Sequence, residues 1–360
     1  LFAHRLVDFI GPAGVVWTEV PEPEVGDGVV VEVVAAGVSF ADLLQTQGRY
    51  QLTLPLPFTP GMDAAGVVRS APPGAGVEAG QRVAVLRSHG CWQEVLAAEP
   101  WQVLPLPDDM SFDAGAAAPL NYLTGLFALL RRGRAQTGET LLVHGGAGGV
   151  GAAAIQLGRA LGLRTIAVTS DGGKRNFALR CGAHHAVLSD GWLDAVSGLV
   201  GDRAVDIVFD PVGGDRMTDS LRSLAPGGRL LVVGFTAGEI PTVKVNRLLL
   251  GNIGVLGVAS REFFERNPPL VRELWGRLLE LRETGALPDL PVEARPFPEA
   301  RLALRALANR ETKGKSVLSA FPEGLGFLLL PTAQPGRARA GLDDMAASVD
   351  ALGRHVAMDG

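Results

Sequence analysis

The sequence predicts an α/β protein in which a doubly wound parallel sheet follows a β-rich N-terminal segment. Three observations carry that expectation. From Ala114 onward, short apolar runs alternate with helical segments, the pattern of strand–helix–strand units in a parallel sheet. Ahead of it, β-branched runs are punctuated by proline clusters at 21–23, 55–60, 72–73 and 105–107. Between them, Glu139–Gly162 reads ETLLVHGGAGGVGAAAIQLGRALG: an apolar strand, a glycine turn and an alanine-rich helix.

In the β-rich segment, Val29–Ala35 follows the turn Gly26-Asp27-Gly28, and Arg82–Leu86 follows Gly80. The parallel-sheet strands are expected at Thr140–His144, Arg164–Thr169, Ala186–Leu188, Val205–Asp210, Arg229–Phe235 and Ile253–Val258. Phe263–Thr284 reads as one helix with Pro268 and Pro269 near its start, and Glu299–Asn309 as a second, amphipathic helix. Lys315–Phe321 is expected as a closing strand that rejoins the N-terminal sheet. Pro322–Ala340 is a Gly-, Pro- and Arg-rich linker. Beyond it Leu342, Met345, Val349, Leu352 and Val356 share one helical face, which reads either as a docking amphipathic helix or as a disordered tail.

The glycine turn carries the chemistry. Gly146-x-Gly148-x-x-Gly151 stands in dinucleotide-binding register, with Ala147, Gly149 and Val150 between. Glycines let the backbone approach a pyrophosphate, and the helix start offers it free N–H donors. A bland strand-to-helix turn is the alternative, since glycine turns are common. After the next strand, an acidic residue would favour a ribose 2′-hydroxyl. The chain has Thr169-Ser170-Asp171-Gly172-Gly173-Lys174-Arg175 there. The hydroxyl of Ser170 and the cations Lys174 and Arg175 suit a 2′-phosphate better, so NADPH is favoured as cofactor. The alternative is a solvated helix start with Asp171 as its N-cap.

The rest of the composition narrows the class. At 360 residues two domains are expected, and a net charge of −5 without a basic stripe argues against nucleic acid as a partner. Two cysteines, Cys91 and Cys181, cannot build a disulfide framework or a structural zinc lobe. The apolar stretches Ala114–Leu130 and Leu141–Gly158 are interrupted by Pro, Asn or glycines and read as core, not as membrane spans. No signal peptide is expected from LFAHRLVDFIG, and a cytoplasmic location follows from these priors. His144 reads as a core histidine, His184-His185 as a surface pair, and Cys91 as a packed thiol.

Several further stretches stand in order: GVSFADLLQTQGRY at Gly37–Tyr50, PFTPGMDAAGVV at Pro57–Val68, GQRVAVL at Gly80–Leu86, NYLTG at Asn121–Gly125, DPVGG at Asp210–Gly214, VNRLLLGNIGVLG at Val245–Gly257 and NRETKGKSVL at Asn309–Leu318. With the glycine turn they resemble the zinc-independent quinone oxidoreductase branch of the medium-chain dehydrogenase/reductase superfamily. The wording around Gly61-Met62-Asp63 and Cys91-Trp92-Gln93-Glu94 is also similar to VAT-1-like proteins, and polyketide enoyl reductases share much of the pattern. The resemblance implies a GroES-like β-rich catalytic domain over 1–113 and 259–321. It implies a Rossmann domain binding NADP(H) over 114–258, and a homodimer formed by edge pairing of the Rossmann sheet.

Site residues follow from the same resemblance. Ala147, Gly148, Gly149 and Val150 hold the pyrophosphate, while Lys174 and Arg310 meet the 2′-phosphate. Thr124 stands near the nicotinamide and Phe235, after Gly234, lies against it. Phe40, Asp42 and Tyr50 face the substrate. Zinc-binding cousins carry Gly-His-Glu where this chain has Gly61-Met62-Asp63, so no catalytic metal is expected. The chain departs from its relatives at Ser39 (often Asn), at Ser189 (often Tyr) and at Ala259-Ser260 (usually Trp-Gly). Local readings stay open beside these: Tyr50 as a loop packer, Asp42 as a helix cap. The expected activity is transfer of hydride from NADPH to a quinone or an activated enone. Alternatives are a biosynthetic enoyl reductase acting on polyketide or acyl-thioester enones, and a VAT-1-like or crystallin-like NADPH-binding protein with little catalysis.

Overall fold

A computed structural model describes residues 1–24, 26–201 and 204–320. The expected linker and C-terminal helix lie outside the described residues. Two sheets dominate. The first has six strands in the order His185–Leu188, Arg164–Thr169, Thr140–His144, Val205–Asp210, Leu224–Val232, Gly254–Gly257. Every ladder in it is parallel. The chain direction along this sheet reverses between Thr140–His144 and Val205–Asp210, and open α/β sheets leave a crevice beyond the carboxyl ends of such a pair.

A central parallel strand is covered on both faces and therefore carries no polar alternation. Leu141, Leu142 and Val143 accordingly have no solvent exposure, nor do Ile207, Val208 and Phe209. One face packs beneath the helix Gly149–Ala160, the segment around 123–129 and the helix Pro268–Glu283. The other packs beneath Trp192, Val196, Met217 and Leu221. His144 belongs to this second core: its Nε2 lies 2.9 Å from Ser220 Oγ, and its ring stands edge-on to Trp192.

The second sheet has seven strands. Val292–Pro296, Lys315–Ser319, Val29–Val38, Asp63–Ser70, Arg82–Leu86 and Val103–Pro105 follow one another, and Val95–Ala98 pairs the outer half of Val29–Val38. The closing strand rejoins the N-terminal sheet as expected, antiparallel to Val29–Val38 with Ser316 opposite Val38.

Two sequence expectations are corrected. The strand expected over 229–235 runs instead from Leu224 to Val232. Its early half tolerates Pro226 and Gly227 because the register with Val205–Asp210 shifts there, with Gly227 at φ +82°. The Val233 amide makes the last ladder bond, to the Asp210 carbonyl at 2.9 Å, and the Gly234 amide crowds onto the same oxygen at 3.4 Å, so the ladder stops and Gly234 and Phe235 lie in a loop. The single helix expected over 263–284 is two, Ser260–Arg266 and Pro268–Glu283. Pro268 has no N–H to give and disfavours helical backbone at the preceding residue, and Asn267 accordingly sits at φ −139°, ψ 62°.

His144 supplies a pH dependence. Burial, then the Arg216 charge, pushes its pKa from 6.5 down to about 3. The unfolded chain therefore takes up a proton that the folded state refuses. The stability this group contributes is present above about pH 6.5 and is lost as pH falls toward the folded value. His144→Gln should flatten the fall in melting temperature between about pH 7 and pH 5 relative to the native chain. Identical slopes would refute the assignment.

Candidate functional site

The strand Thr140–His144 runs into Gly145, whose φ of +60° turns the chain under the sheet edge. A Cβ on Gly146 would lie 2.8 Å from Ala167 Cβ, and one on Gly151 would lie 2.2 Å from the Gly145 carbonyl oxygen. Side chains at either position would push the helix Gly149–Ala160 off the turn. Gly148 differs: it is exposed, extended, and meets nothing closer than 3.6 Å. The helix start has no side-chain cap, so its first N–H groups are left for a ligand. A glycine cradle open to solvent on a helix start fits a pyrophosphate.

Beyond the strand Arg164–Thr169, Asp171 caps the helix Gly172–Arg180 by accepting from the Lys174 amide at 2.8 Å. The capping reading of Asp171 is thus correct. Lys174 Nζ donates to Ser170 Oγ at 3.2 Å and to the Arg310 carbonyl at 2.6 Å. The Lys174 side chain therefore reaches the backbone at Arg310, 136 positions on. Arg310 adopts φ +58°, which bends the chain back toward Lys174. Arg175 lies exposed one residue on, and the Ser189 amide is tied to the Thr169 carbonyl at 2.8 Å.

Across the switch point, Asp210 Oδ1 accepts from the amides of Val212 and Gly213 at 2.8 and 3.0 Å. The turn so formed puts Gly213 at φ +67°, and a Cβ there would lie 2.8 Å from the Phe235 ring. Phe235 thus packs on bare backbone beside the crevice. Facing it is the loop at 48–50, whose Arg49 guanidinium reaches to 3.8 Å from a Cβ built on Gly238. Tyr50 is half-buried, and Arg261 Cζ lies 5.9 Å from its ring centroid. Burial pushes the Tyr50 phenol up, while the Arg261 charge pulls it partly back. Thr124 Oγ1 sits 3.0 Å from Ser260 Oγ. Thr124 thus faces Ser260, and the next residue, Arg261, faces Tyr50.

Asp42 is placed differently from Tyr50. Its side chain is fully buried in a capping box, with Oδ2 accepting from the Ser39 amide and hydroxyl at 2.8 and 2.6 Å. Oδ1 accepts from the Gly61 amide at 3.2 Å. Its carboxyl, raised to about 6 chiefly by burial, holds the loop at 61 and faces no open space. Ser39 is likewise committed to Asp42 and cannot stand in for a substrate-facing Asn. Phe40, half-buried, packs on the core of this sheet at the start of the helix Phe40–Thr46. Cys91 is fully buried with its thiol pushed up by burial, the signature of a packed residue.

One constellation escaped the sequence. Lys315 Nζ lies 3.0 Å from both carboxylate oxygens of Asp63, and both side chains are buried. A Cβ on Gly37 would overlap Asp63 Oδ1 at 2.0 Å, so glycine makes the room. The next residue back, Gly314, donates its amide to the Ala147 carbonyl at 2.8 Å, and Gly314 bridges Gly148 in parallel. The glycine turn is thereby stitched to the strand that holds the buried pair. Lysine within the apolar run KSVLS was the available signal.

Two domain models match this chain: an alcohol dehydrogenase GroES-like domain over residues 26–108 and a zinc-binding dehydrogenase domain over residues 149–276. Quinone oxidoreductase-like protein 2 of Bos taurus is 35% identical over 303 residues, 83% of this chain and 87% of that protein. The chain belongs to the quinone oxidoreductase-like family of the medium-chain dehydrogenase/reductase superfamily. Its two sheets are the GroES-like and Rossmann-like domains of that family. The human synaptic vesicle membrane protein VAT-1 homolog is 32% identical over 310 residues, 80% of this chain and 78% of that one. Among solved structures, the quinone oxidoreductase from Thermus thermophilus, determined also in complex with NADPH, superposes with a TM-score of 0.75. It is 36% identical and covers 89% of this chain and all of that one. At the loop where zinc-binding cousins carry Gly-His-Glu, this family member has a buried Met62, and Asp63 is held by Lys315. No helix among the described residues is long and apolar enough to cross a membrane.

Removing one partner of a buried ion pair leaves the other charge unpaired. Lys315→Met should therefore cost about 3–5 kcal/mol of folding stability in chemical denaturation. Adding Asp63→Asn to that variant should recover much of the loss. An equal loss in single and double variants would contradict the pairing.

Proposed function

We propose that this protein is an NADPH-dependent oxidoreductase that transfers a hydride to quinones or activated enones without a metal. The observation that carries the reading is an open glycine cradle bridged to the segment 310–314, whose backbone at Arg310 the Lys174 ammonium reaches, an arrangement that suits a phosphorylated dinucleotide. Relatives crystallised with NADPH support it. The backbone at 147–150 would bind the pyrophosphate, and Lys174 with Arg310 the 2′-phosphate. Phe235 and Thr124 would bracket the nicotinamide ring, which when bound supplies the hydride.

On the acceptor side the chain offers positioning and hydrogen bonds. Reduction of a quinone or enone builds negative charge on oxygen, and donors fixed in a partly dry cleft stabilise it more than water does. Tyr50 is the candidate donor; Arg261 at its ring, itself paired with Glu262 and Glu265, fixes the phenol in place. Asp42 acts indirectly, by fixing the loop at 61 through its bond to the Gly61 amide. Homodimerisation is part of the same reading. The strand Gly254–Gly257 closes one side of the Rossmann sheet, and beside it Ile240, Val245, Leu249 and Leu250 are all more than 70% exposed.

Steady-state oxidation of NADPH and NADH against quinones, simple enones and enoyl thioesters tests the reading. Turnover of a quinone or enone with clear NADPH preference is expected. Exclusive turnover of enoyl thioesters would favour the biosynthetic enoyl reductase, and tight binding without turnover a VAT-1-like binding role. With the best acceptor, Tyr50→Phe should lower kcat by about 10–100-fold and leave the NADPH KM unchanged. An unchanged kcat would assign the proton to water.

A further inference from the structure

The 2′-phosphate grip of this chain lacks the tyrosine that its relatives often place at 189, where Ser189 stands. A third cation lies at the same place. The ammonium of Lys313 is 3.5 Å from a Cβ built on Gly173, and its Cε 3.9 Å, so the side chain lies over the first turn of the helix Gly172–Arg180. That turn also carries Lys174. We propose that Lys313 is a specificity-determining residue for the coenzyme's 2′-phosphate, supplying a donor in addition to Lys174. The inference rests on the NADPH reading and adds a residue to it.

The backbone fixes Lys313 on both sides. Thr312 before it is buried, Gly314 after it donates to the Ala147 carbonyl, and Lys315 is locked on Asp63. The side chain, in contrast, is exposed and makes no hydrogen bond or ion pair with the described residues. Lys174 is already committed to Ser170 Oγ and the Arg310 carbonyl, with the Asp171 carboxylate 3.7 Å away. Lys313 is thus the uncommitted ammonium of the patch. Two of the chain's four lysines converge here, with Arg310, while the nearby carboxylates are engaged, Asp171 with the Lys174 amide and Glu311 with the Asn309 side-chain amide. A phosphomonoester dianion matches that balance, whereas a ribose hydroxyl gains little from a free ammonium.

Calorimetric titration separates the sources of phosphate. The ligands are NADPH, NADH, 2′,5′-ADP, 5′-AMP and inorganic phosphate, and the proteins are the native chain, Lys313→Met and Lys313→Arg. Lys313→Met should weaken NADPH and 2′,5′-ADP by about tenfold, the scale of one charge-assisted hydrogen bond, and leave NADH and 5′-AMP unchanged. Lys313→Arg should keep most of the preference, and the melting temperature without ligand should not move. Unchanged NADPH affinity in Lys313→Met, an equal loss for NADH, or strong binding of inorganic phosphate alone would each overturn the assignment. A native chain that binds neither coenzyme would overturn the NADPH reading itself and the assignment with it.

Discussion

Lys315 stands on the last described strand with its ammonium bonded to both oxygens of Asp63, and water reaches neither group. Burying two charges is costly, and a matched apolar pair would often be as stable. What the ion pair does provide is register. The strand Lys315–Ser319 must slot beside Val29–Val38 where Gly37 leaves room for the carboxylate, and a slip by one residue would bury a lone ammonium. From that fixed strand the chain reaches back one residue to hold the glycine turn through Gly314, and further back to place Lys313 and Arg310. Cofactor cradle and GroES-like sheet are in this way parts of one framework.

A second consequence concerns where polar groups are free. Most carboxylates and hydroxyls near the cleft already have partners: Asp42 with Ser39 and Gly61, Asp210 with its own turn, Asp171 with the Lys174 amide. Groups so committed shape loops. Among the groups left to meet a ligand are the first N–H donors of the helix Gly149–Ala160, the Lys313 ammonium and the hydroxyl hydrogen of Tyr50, whose oxygen accepts from Arg261. The departures from relatives are spread: Ser189 follows the strand His185–Leu188, whereas Ser260 lies within hydrogen-bond reach of Thr124 and the next residue, Arg261, rests on Tyr50. Where relatives usually carry Trp-Gly, Ala259 and Ser260 stand, so a methyl takes the place of an indole and a hydroxyl is added beside Thr124.

The parallel sheet was legible because its strands are apolar without alternation and each is closed by glycine or a polar turn; five of the six expected strands fall within a residue of their true bounds. Leu224–Val232 was not, because its register shift and its early exit are set by contacts with Val205–Asp210 that leave no local pattern. The break at Asn267 was legible in principle, since Pro268 restricts the residue before it, but an unbroken amphipathic stripe hides it. For the site, the glycine turn and Lys174 are local signals. The Asp63–Lys315 pair spans 252 positions, and Arg261 and Lys313 meet their neighbours only through the fold. Such contacts are invisible to periodicity and spacing.

The claim that both domains grip one dinucleotide through this framework is tested most directly by amide hydrogen exchange with and without coenzyme. Saturating NADPH should slow exchange at 146–151, at 170–175 and at 310–315 together, whereas NADH should protect the first segment and leave the other two near their free rates. Protection confined to 146–151 with both coenzymes, or absent from it with either, would contradict the account.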